Sequence, residues 1–172
     1  MGAANREMHA QLSVMTPEAE FAQLYEQHYA AVYHTALRIT GNPADAEDAL
    51  QTVFLRVLNR AGRLSSPVLH QAYFRRASAN AAVDLLRRRV SRAESQLDDA
   101  AGTAAVESQP LLKERLRRAI ASLEHDDAVL FLLRFVEGLS NGELAEIFEL
   151  EKSSIAVRLH RIRQTLQVEM ER

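Results

Sequence analysis

The chain contains no cysteine and no tryptophan, only four prolines and six glycines, and aromatic residues fill 6% of its 172 positions. Without cysteine there is no disulfide, no thiolate nucleophile and no thiolate metal site, a composition that fits a reducing compartment. No apolar run is long enough to cross a bilayer. Residues 1–15 are polar, lack the basic-then-apolar order of a signal peptide, and are expected to form a disordered tail. A cytoplasmic protein with no membrane insertion is therefore the expectation. The six histidines (His9, His28, His34, His70, His125 and His160) are scattered, and none belongs to an H-E-x-x-H helix. Phosphate-binding glycine loops and G-x-S-x-G turns are also missing. Asp126-Asp127 reads as a helix-start pair rather than a catalytic dyad, which needs desolvation to part its pKa values. No catalytic residue, metal or cofactor is expected, so the chain is read as a non-enzyme.

What remains is strongly helical. Thr16-Pro17-Glu18 combines a capping hydroxyl, a first-position proline and an acid in the first turn. Phe21, Leu24, Tyr25, His28, Val32, Leu37 and their neighbours recur at steps of three and four and predict one apolar face. Gly41 ends this helix, and Asn42-Pro43 starts a second, whose predicted buried side is Ala46, Ala49, Leu50, Val53, Phe54, Val57 and Leu58. Gly62 is read as closing it, and Ser66-Pro67 as opening a third helix that ends in Arg87-Arg88-Arg89. Residues 93–110 carry four acids and no base. They lack apolar periodicity and are expected to form a flexible acidic linker. Beyond it, Leu112, Leu116, Ile120 and Leu123 predict another apolar stripe, and residues 126–137 a buried helix.

The net charge is -2, but its distribution matters more than its sum. Residues 16–92 hold ten Lys/Arg against seven Asp/Glu; residues 111–151 hold five against nine; residues 152–172 hold five against two. Two basic segments thus flank an acidic middle. The last of them holds the second of two predicted helices joined by a tight turn. Ser140 and Glu143 have capping-box spacing for the first of these helices, packed through Leu144, Ala145, Ile147 and Phe148. The second starts near Lys152 and buries Ile155, Leu159 and Ile162. This is the layout of a helix-turn-helix, in which one helix braces and the next enters the major groove. Lys152, Ser153, Ser154 and Ala156 are placed to reach bases, and Arg158 and Arg161 to reach bases or phosphates.

Several motifs in one order carry a family resemblance over residues 18–168. They are Phe21-x-x-Leu24-Tyr25, Asp45-Ala-Glu-Asp48-x-x-Gln51-x-Val-Phe54, Tyr73-Phe-Arg-Arg-Ala77-x-x-Asn80, Asp84-x-x-Arg87-Arg88, Glu143-Leu-Ala-Glu-Ile147 and Arg158-Leu-x-Arg161. The chain resembles the extracytoplasmic-function class of bacterial sigma factors. The implied fold is all-α: a region-2-like bundle of three or four helices over 16–92, the linker over 93–110, and a region-4-like helix-turn-helix domain over 111–172.

The resemblance implies that the first domain docks on the clamp coiled coil of the largest subunit of RNA polymerase core, through Asp45, Asp48, Gln51 and Arg56. Phe54 is assigned to the core. It further implies that the third helix and its preceding loop recognise and melt the minus-ten element, with Arg63, His70, Tyr73, Arg75, Arg76, Asn80, Arg87 and Arg88 as candidates. Of the adjacent pair Tyr73 and Phe74, one belongs to the core. The second domain is implied to read the minus-thirty-five element and to bind the flap of the second-largest subunit. Promoter DNA, polymerase core and an anti-sigma protein are the expected partners of a chain that is monomeric when free. Where the family commonly has glycine, a basic residue and a small polar residue in the helix-turn-helix, this chain has Glu149, Ala156 and Val157, and Glu124 stands for the usual proline. Those departures keep two alternatives open: a sigma-like regulator that does not initiate, and a one-component helix-turn-helix repressor.

Overall fold

All four prolines stand in the first turn of a helix, where the missing N–H costs nothing. The computed structural model describes residues 16–59, 67–97 and 109–171, with seven α-helices and no strand among them. They are α1 (Pro17–Thr40), α2 (Pro43–Leu58), α3 (Pro67–Leu97), α4 (Gln109–Ser122), α5 (His125–Phe135), α6 (Asn141–Phe148) and α7 (Lys152–Glu171). The expectations for residues 1–15 and for the loop holding Gly62 and Arg63 lie outside the described residues.

The helix signals correspond to the observed ends. Thr16 accepts from the Ala19 N–H, and Asn42 from those of Ala44 and Asp45, so each side chain satisfies donors that the first turn leaves open. Gly41 closes α1 at φ 65, its N–H donating to Leu37. Ser140 and Glu143 form the reciprocal capping box of α6. Glu149 then takes the left-handed turn at φ 55, where glycine would be unstrained.

The first domain packs α1, α2 and α3 around Leu24, Val32, Val53, Phe54, Val57 and Phe74, and the second packs α4–α7 around Leu130, Leu133, Leu144, Ile155 and Ile162. Several expected core positions lie elsewhere. Leu58 is 49% exposed and Tyr25 40%, and Leu50 is only partly buried. Ile120 in α4 and Leu123 just after it are buried, whereas Leu112 and Leu116 face outward. A leucine stripe longer than the neighbouring surface leaves its overhang uncovered, and periodicity cannot show where the neighbour ends.

The third helix holds the main surprise. It runs eight residues beyond the expected end at Arg89, reaching Leu97 inside the expected linker. Around its middle, Ala77, Ser78, Ala79, Ala81, Ala82 and Val83 are all buried. At about 100° per residue these positions cover well over half the helix circumference. α3 is therefore packed on both sides: by α1 and α2 of its own domain, and by α4, α5 and α6 of the second. Small side chains permit that close approach of helices. The buried residues of both domains form one continuous cluster, so the domains are packed together and not merely tethered.

Two substitutions test the local account with opposite signs. Glu149→Gly should raise stability by about 0.5–1 kcal/mol through relief of the left-handed strain. Ser140→Ala should lower it by about 1 kcal/mol through loss of the capping box. Thermal unfolding of the two variants checks both.

Candidate functional site

Three surfaces carry the residues singled out from the sequence. On α2, Asp48, Gln51 and Arg56 are all exposed. Asp45 differs from them: its carboxylate accepts from Arg89 at 2.9 Å and its side chain is 16% exposed, so it ties the start of α2 to α3. Two residues not singled out join the surface. Leu55 is 59% exposed and Leu58 49%. Asp48, Gln51, Leu55 and Leu58 share an arc of roughly 80°. The result is a stripe of one acid, one amide and two uncovered leucines. The seven-residue step from Asp48 to Leu55 was the signal available in the sequence.

The second surface is the side of α3 facing the second domain. Arg75 pairs with Glu143 at 3.2 Å. Arg76 donates to the Ile147 carbonyl at 3.2 Å, lies 3.7 Å from Asp126, and stands 4.8 Å over the Phe148 ring. Arg87 donates to the Leu123 carbonyl and reaches His125 Nδ1 at 3.4 Å, while His125 Nε2 is 3.3 Å from Asn80 Oδ1. A neutral imidazole protonated on Nε2 satisfies both contacts, with Arg87 donating to Nδ1 and Nε2–H donating to Asn80. Asp84 lies 3.7 Å from Nδ1 on the same side. Phe74 is the core member of the adjacent aromatic pair and Tyr73 is partly buried against it. Arg88 is exposed. His70 lies in the first turn of α3, with its side chain outside the described residues, as is Arg63.

One contact at this seam was not legible in the sequence. Glu137, in the turn after α5, accepts from Arg38 Nε at 2.8 Å, from Arg38 Nη2 at 2.7 Å and from Thr35 Oγ1 at 2.9 Å. Its side chain is 9% exposed. Burial pushes the Glu137 carboxyl up, but the hydrogen bonds from Arg38 and Thr35, with the charges of Arg38 and Arg75, outweigh burial and hold it below the usual range. The same bond, donated to Glu137, raises the Arg38 guanidinium above its ordinary value. Glu143 is held low by the Ser140 backbone N–H, then by the Ser140 hydroxyl and Arg75.

The third surface is α7. Ile155, Leu159, Ile162 and Leu166 are buried, leaving Lys152, Ser153, Ser154, Ala156, Val157, His160 and Arg161 outward. Arg158 is engaged elsewhere: it pairs with Asp127, and with Glu124 at 3.4 Å. Glu124 also caps α5 by accepting from the Asp126 N–H. Glu124 is thus a cap for α5 and a brace for α7. Behind α7, Leu116, Phe131, Phe135, Leu166 and Met170 line an open apolar groove of about 400 Å³.

This arrangement coincides with known sequence families. Residues 24–92 match the family described as Sigma-70 region 2, and residues 113–166 match Sigma-70, region 4. The RNA polymerase sigma factor CarQ of Myxococcus xanthus is 32% identical over 145 residues, covering 82% of this chain and 83% of CarQ. The chain belongs to the extracytoplasmic-function class of the sigma-70 family. The ECF RNA polymerase sigma factor SigE of Mycolicibacterium smegmatis is 31% identical over 84% of this chain, which spans 59% of SigE's length. SigX of Bacillus subtilis is 25% identical over 90% of this chain and 85% of SigX. In this sigma factor α1–α3 form region 2 and α4–α7 hold region 4. Among the described residues no helix is long and apolar enough to cross a membrane, and no three potential metal ligands cluster.

The Glu137 contact predicts a pH dependence. A carboxylate whose folded pKa is lowered contributes stability above its ordinary value of 4.5 and loses it as pH falls through the lowered folded value. Glu137→Gln should cost about 1–2 kcal/mol at neutral pH. The difference from the parent should shrink in acid below that window. Urea unfolding of both proteins across acid and neutral pH measures it.

Proposed function

We propose that this sigma factor directs bacterial RNA polymerase core to promoters, with region 2 docking on the clamp coiled coil and opening the minus-ten element, and region 4 reading the minus-thirty-five element. The observation that carries the reading is the conjunction of an outward α2 stripe, a cationic α3 and a braced recognition helix within one family member. Docking on the clamp is assigned to Asp48, Gln51 and Arg56, now with Leu55 and Leu58, since exposed leucines among polar neighbours suit a helical partner. Asp45 serves by holding α2 against α3.

Minus-ten recognition is assigned to α3 through Arg75, Arg76, Asn80, Arg87 and Arg88, with Tyr73, His70 and Arg63 at its start. Guanidinium groups supply phosphate contacts, and opened bases require pockets or aromatic platforms. Minus-thirty-five reading falls to Lys152, Ser153, Ser154, Ala156 and Arg161. Arg158 is assigned a bracing role, because its charge is already spent on Asp127 and Glu124. The apolar groove behind α7 suits the flap of the second-largest subunit. An anti-sigma protein is the expected negative regulator, and the cytoplasm the expected site of action.

A second reading has one observation in its favour. Val157 is 59% exposed on the recognition face, where a charge or hydroxyl would serve DNA better. It favours a non-initiating regulator that uses this face for protein contact. Purified core plus this protein, on fragmented bacterial genomic DNA, should yield promoter-dependent transcripts. Promoter-dependent transcripts overturn the second reading; failure to bind core overturns the first. Within the first reading, Leu55→Glu should weaken core affinity about tenfold or more while leaving the melting temperature unchanged. Arg161→Ala should weaken promoter binding and reduce its salt dependence by about one counterion.

A further inference from the structure

Between α3 and the end of α4 lies an open cleft of about 480 Å³. Its charged lining is two arginines, Arg87 from α3 and Arg118 from α4, and no acidic side chain lines it among the described residues. Ser91 and Ser122 add a hydroxyl from each helix, and Val90 and Ala121 an apolar wall.

Both guanidinium groups have donors to spare. Arg87 is fixed by its bond to the Leu123 carbonyl and its contact with His125 Nδ1 at 3.4 Å. A guanidinium offers more N–H donors than these contacts use. Arg87 Nε is buried with no partner among the described residues, and a buried donor left open marks a place where an ion or water belongs. Arg118 has a weak partner: Glu114 stands 3.7 Å away and is shared with Arg117 at the same distance. The Arg118 side chain is 43% exposed, and an ion pair so solvated adds little. The chain around the cleft is cationic as well. Residues 87–92 hold four arginines, and residues 113–118 hold four bases against one acid.

We propose that this cleft binds a small phosphorylated molecule, its terminal phosphate held by Arg87 and Arg118 and its organic part lying along Val90 and Ala121. A terminal phosphate carries close to two negative charges at neutral pH and three acceptor oxygens. That suits two guanidinium forks. A nucleic-acid phosphodiester carries a single charge, and it runs along an extended backbone rather than ending in a recess between two helices. The volume of the cleft is that of a small-molecule site. The serine hydroxyls offer further partners to ligand oxygens. One arginine comes from each domain, so the ligand touches both. The site stands on this geometry and does not depend on the sigma-factor reading of α3.

Arg118 and Ala121 carry the test, because Arg87 is also assigned to the minus-ten element. Full-length protein is titrated with inorganic phosphate, adenosine monophosphate and adenosine at constant ionic strength, and binding is read by calorimetry. Both phosphate-bearing probes should bind saturably, the nucleotide more tightly, and adenosine should not bind. Arg118→Gln should weaken nucleotide binding about tenfold or more, as expected for loss of one charged hydrogen-bonding group. Lys113→Gln removes the same charge from the same helix outside the cleft and should keep the parent's affinity. Ala121→Leu fills the cleft with charge unchanged and should also weaken the nucleotide about tenfold or more. Circular dichroism checks that each variant keeps its helix content. Absence of saturable phosphate binding overturns the proposal, as does parent affinity in Ala121→Leu. Equal losses in Arg118→Gln and Lys113→Gln assign the effect to diffuse charge and overturn it too. Equal affinities for phosphate and nucleotide make free phosphate the occupant and overturn the organic part. A hydroxyl-ended single-stranded oligonucleotide offers phosphodiesters alone. If Ala121→Leu weakens its binding as much as the nucleotide's, the cleft serves a nucleic-acid backbone and the small-molecule site is overturned.

Discussion

The organisation of this sigma factor depends on one helix being packed from two sides. The middle of α3, from Ala77 to Val83, is a run of small residues buried over most of its circumference. One side completes the region 2 bundle with α1 and α2; the other receives α4, α5 and α6 of region 4. An amphipathic helix of one domain would have left that second side to water. Alanine and serine there let a second set of helices approach, and the longer side chains at either end of the run (Arg75, Arg76 and Arg87) reach around the contact to find acceptors.

Two kinds of interaction then divide the labour. Each domain is stabilised by its own apolar interior, around Val53, Phe54 and Phe74 in one and Leu130, Leu133 and Leu144 in the other. The contact between the domains adds a polar layer of carboxylates, carbonyls and guanidinium groups, centred on Glu137 and its bonds to Arg38 and Thr35. The apolar interiors meet along α3 in one continuous cluster, with the polar layer at its edge. The outward stripe of α2, the face of α7 and the groove behind it stay clear of this contact.

Much of this was legible in the residues. Proline and capping side chains marked the helix starts, and Gly41 marked a helix end, because caps act within one turn of chain. The core positions of α7 followed from their spacing, and Phe54 and Phe74 took the buried places. The departures from the family also proved interpretable. Glu124 gains a role as cap and brace, while Glu149 occupies the left-handed turn at some strain. What misled was overhang. Leu58, Leu112 and Leu116 continue an apolar period past the end of the helix that should cover them, and periodicity records direction around a helix but not the reach of its neighbour. Asp45 was read with the docking face because it shares a helix with Asp48; only the position of Arg89 shows it engaged.

By itself the sequence determined the all-helical class, the order of the helices, the two cores and the family, because these follow from local chemistry, apolar period and motif order. Tertiary structure alone decided that the two domains meet across α3, that Glu137 bonds Arg38 and Thr35 about a hundred residues away in sequence, and that Arg75, Arg76 and Arg87 of α3 find acceptors in the second domain. No periodicity encodes these facts. They depend on which surfaces of separately specified helices come within hydrogen-bonding distance once both cores have formed.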